Sequence, residues 1–128
     1  MLRKILIVDD STLIQHMYEL FLARYRGARL VNAMNGAAAL EALAREPEID
    51  LVLLDINMPV MNGLELLQRM KSEPAYRELP VIVITTQGHE GDAERCLKLG
   101  AAAVLHKPFQ TPELYAAIEQ ATGSRPSS

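Results

Sequence analysis

Four short apolar runs punctuate the chain: Ile5 to Val8, Leu51 to Leu54, Val81 to Ile84 and Ala102 to Leu105. None alternates with polar residues, most are rich in branched side chains, and each gives way to a polar residue. Strands buried on both faces of a parallel sheet read this way, because neither side is wetted. A fifth run, Ala28 to Met34, is interrupted by Arg29 and Asn32 and reads as a half-exposed edge strand.

Between these runs the apolar spacing becomes helical. Leu13, Met17, Leu20, Phe21 and Tyr25 fall mostly three and four apart and predict one apolar face on a helix opened by Ser11. A second helix is expected from Ala37 to Ala44, between Gly36 and Pro47. Leu64, Leu67 and Met70 mark a third, started by Asn62 and closed before Pro74. Glu90 to Leu99 forms a fourth, ended by Gly100 where a C-terminal cap favours glycine. Leu114, Ala117, Ile118 and Ala121 mark a fifth, opened by Thr111 with Pro112 in its first turn. Strand and helix thus alternate five times. That order implies an α/β fold, a single five-stranded parallel sheet with helices on both faces and right-handed crossovers.

Composition narrows the function classes. The 128 residues allow one core, expected over residues 1–121. Residues 122–128 are small and polar, and are expected to be a flexible tail or the start of a linker. A net charge of −3 without a basic stripe argues against a direct nucleic-acid partner. The single cysteine, Cys96, excludes an internal disulfide, fits a reducing compartment and reads as packing or surface. No run reaches the roughly 18 apolar residues of a membrane span, and the start does not read as a secretory leader. A cytoplasmic protein with no membrane partner is expected. His16, His89 and His106 show no metal-ligand spacing and read as surface or edge residues.

The chemistry collects after the strands. Ligands of open parallel sheets lie beyond the carboxyl ends of the strands. There the first strand leads into Asp9 and Asp10, the third into Asp55, the fourth into Thr85 and Thr86, and the fifth into His106, Lys107 and Pro108. Three carboxylates against one ammonium leave an excess of negative charge, which a divalent cation would cancel. Oxygen ligands of this kind suit Mg²⁺, or Mn²⁺. With that charge cancelled, a carboxylate becomes usable as a nucleophile toward phosphorus. Phosphoryl transfer needs in-line placement and positive charge on the equatorial oxygens. The metal would cover one oxygen, Lys107 a second, and the Thr85 hydroxyl with the Thr86 backbone N–H a third, while Asp55 attacks.

Asp9-Asp10-Ser11, Asp55 through Pro59, Asn62-Gly63, Thr85 and Lys107-Pro108-Phe109 together resemble the receiver domain of two-component response regulators, over residues 3 to 121. The resemblance implies strand order 2-1-3-4-5, a flavodoxin-like arrangement. It implies Asp55 as phosphoacceptor, and Asp9, Asp10, Asp55 and the Asn57 backbone carbonyl as metal ligands. Thr85 would be the switch hydroxyl and Lys107 the phosphate-contacting lysine, with a cis bond at Lys107–Pro108. Donors would be a sensor histidine kinase or a histidine phosphotransfer protein. Asn57 and Gln87 would flank the path of hydrolytic water and tune the phosphate lifetime. The chain would assist its own phosphorylation and dephosphorylation without being an enzyme.

One position departs from the family pattern. Receivers often carry Tyr or Phe three residues before the lysine, and here that residue is Val104. Backbone movement of residues 86–91, eased by Gly88 and Gly91, would then replace the ring. A protein target would be met through the surface of the fourth helix, fifth strand and fifth helix. Rival functions share the sheet. An aspartate-nucleophile phosphatase would want a second acid two residues after Asp55, where Asn57 stands. A flavin carrier of flavodoxin type would want a Ser/Thr/Gly phosphate loop in place of Asp9-Asp10. A receiver excised from a larger regulator or hybrid kinase with an output domain is a further alternative.

Overall fold

The computed structural model describes residues 2–56, 63–86 and 90–126. In chain order its elements are β1 (Lys4–Val8), α1 (Thr12–Phe21), β2 (Arg29–Ala33), α2 (Gly36–Arg45), β3 (Ile49–Asp55), α3 (Gly63–Ser72), β4 (Val81–Thr86), α4 (Glu90–Leu99), β5 (Ala103–Lys107) and α5 (Thr111–Thr122). All strand pairs are parallel and the sheet order is β2-β1-β3-β4-β5, as expected.

Alternating side-chain direction splits each buried strand between two cores. Leu6, Val8, Val52, Leu54 and Val83 face one layer, where they meet Ala39, Leu43, Leu66, Leu67, Met70 and Cys96. Ile5, Ile7, Leu51, Leu53, Ile82 and Ile84 face the other, against Tyr18, Leu22, Leu114 and Ile118. Each Val, Leu, Ile or Met among them stabilises the fold by about 1.5–3 kcal/mol on full burial. Cys96 is therefore packing, the first of its two expected roles. β2 is the half-exposed edge strand that its broken pattern predicts.

Two expectations need correction. β5 is the opposite edge of the sheet, with Val104 half-buried and His106 exposed, so it is not covered on both faces. On α1 the proposed apolar face is only partly buried: Leu13 is 69% and Leu20 77% exposed, with Met17 exposed between them, whereas Phe21 packs half-buried against the core and Tyr25 is buried. The buried stripe is Gln15 and Tyr18, continued past the helix end by Leu22 and Tyr25. Both stripes have helical spacing. Tyr18 and Leu22 are buried with Tyr25 in the layer containing Leu114 and Ile118.

Helix ends follow their local chemistry. Ser11 Oγ accepts the Ile14 N–H at 3.2 Å, and Asn35 Oδ1 accepts the Ala38 N–H at 2.8 Å. The cap of α5 is Gln110, one residue before the expected Thr111, and its N–H donates to Glu113 Oε1 at 2.9 Å. The expected opener of α3, Asn62, lies outside the described residues. α4 closes on Gly100 at φ 111°, with Gly100 N–H donating to Leu97 O at 3.1 Å and Ala101 N–H to Cys96 O at 2.9 Å. Against this turn lies the Lys71 stem, whose ammonium donates to Arg77 O at 3.0 Å and Leu79 O at 2.9 Å. After α5, Gly123 takes a left-handed conformation and Arg125 pairs with Glu119 at 2.7 Å.

Candidate phosphoacceptor and metal site

Register brings the acids together. Val8 pairs with Leu54, so the residues that follow, Asp9 and Asp55, emerge side by side from neighbouring strands. One carboxylate oxygen from each of Asp9, Asp10 and Asp55 lies within 4.8 Å of the others. Asp9 and Asp55 are buried, whereas Asp10 is exposed. Such a set fits a hard divalent cation, which takes carboxylate oxygens and retains water on its open side.

Asp9 is fixed at several points. Its N–H donates to Ala33 O at 3.0 Å, its carbonyl accepts Gln15 Nε2 at 2.9 Å, and its Oδ1 accepts the Ser11 N–H at 2.9 Å. Burial pushes its carboxyl above the ordinary range; the Ser11 N–H and the Lys107 ammonium oppose this, and the Asp55 and Asp10 charges add to it. A bound cation would oppose that upward shift.

Lys107 closes the pocket from β5. Its Nζ stands 3.4 Å from Asp55 Oδ2 and 3.6 Å from Asp9 Oδ2, with its side chain 24% exposed. The Lys107–Pro108 bond is cis, as the resemblance implied. Thr85 is buried at the end of β4, one residue beyond the Ile84 that pairs with Asp55, and Thr86 pairs with Lys107 across β4 and β5. Asp9, Asp10, Asp55, Thr85 and Lys107 therefore share one rim of the sheet. Asn57, Gln87 and Gly88, with the roles expected of them, lie outside the described residues, as does His89.

Gly63 has a structural reason to be glycine. A Cβ there would fall 2.5 Å from Ile56 Cα and 2.9 Å from Asp55 O, so the first turn of α3 packs directly on the backbone of Asp55 and Ile56. Sequence reasoning missed two neighbours of the pocket, Gln15 and Tyr18. Their signal was the second helical stripe of α1, where a polar and an aromatic residue stand three apart.

Comparison with known proteins agrees with this geometry. The family model described as the response regulator receiver domain matches residues 5–119. A chemotaxis protein CheY homolog of Campylobacter jejuni subsp. jejuni is 31% identical over 121 residues, covering 94% of this chain and 93% of that protein. The phosphate regulon transcriptional regulatory protein PhoB of Escherichia coli is 36% identical over 119 residues, covering 93% of this chain and 51% of that protein. The crystal structure of a response regulator receiver domain protein from Clostridium thermocellum superimposes with a TM-score of 0.85 at 28% identity, covering 95% of each chain. Among the described residues no helix is long and apolar enough to cross a membrane. A five-stranded sheet in this order, an acidic rim closed by a lysine, and a family match over nearly the whole length agree: the chain belongs to the response regulator receiver domains of two-component systems.

Proposed function

We propose that Asp55 captures a phosphoryl group from a phosphohistidine donor, with Mg²⁺ or Mn²⁺ held by Asp9, Asp10 and Asp55. Receiver domains bind a divalent metal at an acidic pocket and accept phosphate from histidine kinases. The observation that carries the reading here is the Lys107 ammonium, 3.4 Å from Asp55 and 3.6 Å from Asp9, beside three clustered carboxylates.

An Asp55 oxygen forms the new bond to phosphorus while the P–N bond to the donor imidazole breaks, its electron pair leaving on nitrogen. Lys107 supplies positive charge to an equatorial oxygen, and the Thr85 hydroxyl with the Thr86 N–H donates to another. A bound divalent ion supplies further positive charge and offsets the crowding of the acids. Asn57 and Gln87 are assigned to setting the rate at which water removes the group.

Output is assigned to the surface of α4, β5 and α5. A cavity of about 360 Å³ lies there, lined by Val104, His106, Glu113 and Gln120 among others. Amide exchange with and without a phosphoryl mimic tests this surface, and unchanged protection there would remove it. The acceptor is tested by labelling with acetyl phosphate. Asp55→Asn should abolish label and EDTA should block it in the unchanged protein; label surviving the substitution would rule out Asp55.

A further inference from the structure

β5 has no ring at Val104, but an aromatic cluster that includes Phe109 lines a cavity together with Lys107. Tyr18 is 2% exposed and stacks on Phe109, with ring centroids 6.4 Å apart and planes 28° apart. Phe21 meets Tyr18 edge-on at 6.2 Å and Phe109 at 6.1 Å. Only Pro108, with its fixed φ, separates Phe109 from Lys107. Tyr18, Lys107, Pro108 and Phe109 also line one cavity of about 390 Å³ together with Ile14 and Met17. Burial and the nearby charges of Asp9 and Asp55 hold the Tyr18 hydroxyl in its neutral form well above the ordinary tyrosine range.

A lysine ammonium rides on a flexible four-carbon stem, so its place depends on where the backbone root is held. The root of Lys107 is the last residue of an edge strand. We propose that Tyr18 is a positioning residue for phosphoryl capture: its ring, through Phe109, fixes the turn at residues 107–109 and so holds the Lys107 ammonium between Asp9 and Asp55. The inference rests on Asp55 being the acceptor. α1 then serves the pocket twice, since Gln15 on the same buried stripe bonds the Asp9 carbonyl.

The experiment is acetyl phosphate labelling of the full chain over a range of Mg²⁺ concentrations, at a temperature where circular dichroism shows each variant folded. Misplacing a catalytic group by an ångström costs up to about a hundredfold, so Tyr18→Leu should lower the maximal rate by roughly tenfold or more. The Mg²⁺ concentration for half-maximal rate should stay within about twofold, because the carboxylates are untouched. Tyr18→Phe keeps the ring and should keep the rate. In a Lys107→Ala background Tyr18→Leu should have no further effect, as expected of residues acting in series. Phe109→Leu should reproduce the loss, and replaces Tyr18→Leu if that variant does not fold.

Wild-type rates in the ringless variants would overturn the inference, as would an equal slowing of the Lys107→Ala protein or a Tyr18→Phe as slow as Tyr18→Leu. Absence of label from the unchanged protein would sink the acceptor reading and this one together. Normal label with an unaffected Tyr18→Leu would sink this one alone.

Discussion

Gly63 approaches Ile56 so closely that an added Cβ would lie 2.5 Å from the Ile56 Cα. The obstacle is backbone, which cannot swing aside as a side-chain tip does. Gly63→Ala is expected to destabilise the protein by about 1–3 kcal/mol, the usual cost of forced overpacking. Labelling should slow as well, since the displaced backbone carries Asp55. Urea unfolding and acetyl phosphate kinetics measure the two effects, and a variant unchanged in both would contradict the contact.

Lys107 offsets part of the acidic charge at 3.4 and 3.6 Å. Lys107→Ala should reduce the labelling rate by about 10²–10³, the range for removing one donor to a developing charge. It should also lower the melting temperature of the metal-free protein at pH 7, because the acids lose a compensating cation. That second deficit should shrink on acidification, as Asp9 takes up a proton. Melting curves between pH 7 and the carboxylate range decide it.

Asp9 carries a linkage prediction of definite sign. Its folded carboxyl binds a proton more readily than the ordinary value of 3.8 allows, chiefly because it is buried. Between that value and the raised folded one, the native state binds more protons than the unfolded chain, so this group's contribution to metal-free stability falls as pH rises. Above that window the penalty is fully present. Asp9→Asn should therefore melt higher than the unchanged protein at pH 7 without metal, and lose the advantage below pH 3.8. With Mg²⁺ added, the order should reverse, because only the unchanged protein keeps its ligand.

Tyr25 offers a test away from the pocket. Its hydroxyl is buried with no hydrogen-bond partner among the described residues, while its ring meets Tyr115 edge-on at 5.8 Å. Burial, with the charges of Tyr115 and Glu119, moves its ionisation up to about 12. Tyr25→Phe keeps the ring contact and removes the unpaired group, so a gain of about 1 kcal/mol is expected in urea unfolding. A loss of that size would reveal a bond the hydroxyl makes.

The strands were legible because Ile5–Val8, Leu51–Leu54 and Val81–Ile84 carry branched side chains without polar relief. The pocket was legible because Asp9, Asp55, Thr85 and Lys107 each stand at or just beyond a strand end, where parallel pairing gathers them. What was not legible depended on partners distant in sequence. The run at Ala102–Leu105 reads like an interior strand, and only the sheet order makes it an edge. Two stripes compete on α1, and tertiary contact with Leu114 and Ile118, not local spacing, decides between Leu13 and Tyr18. Gln15 reads as a surface residue until the Asp9 carbonyl is placed above it.

Lys71 has a mechanical consequence. Its stem rests on Gly100 and its ammonium grips the carbonyls of Arg77 and Leu79, so the heel of α4 is pinned to the connection between α3 and β4. A helix of ten residues is roughly 15 Å long, and a tilt of about 10° about a pinned heel carries the far end through about 2.6 Å. The toe of that lever is Glu90, which follows the segment leading out of the Thr85 strand. A rearrangement at the Glu90 end would thus be largest there and fade along α4, while the Gly100 end stays still.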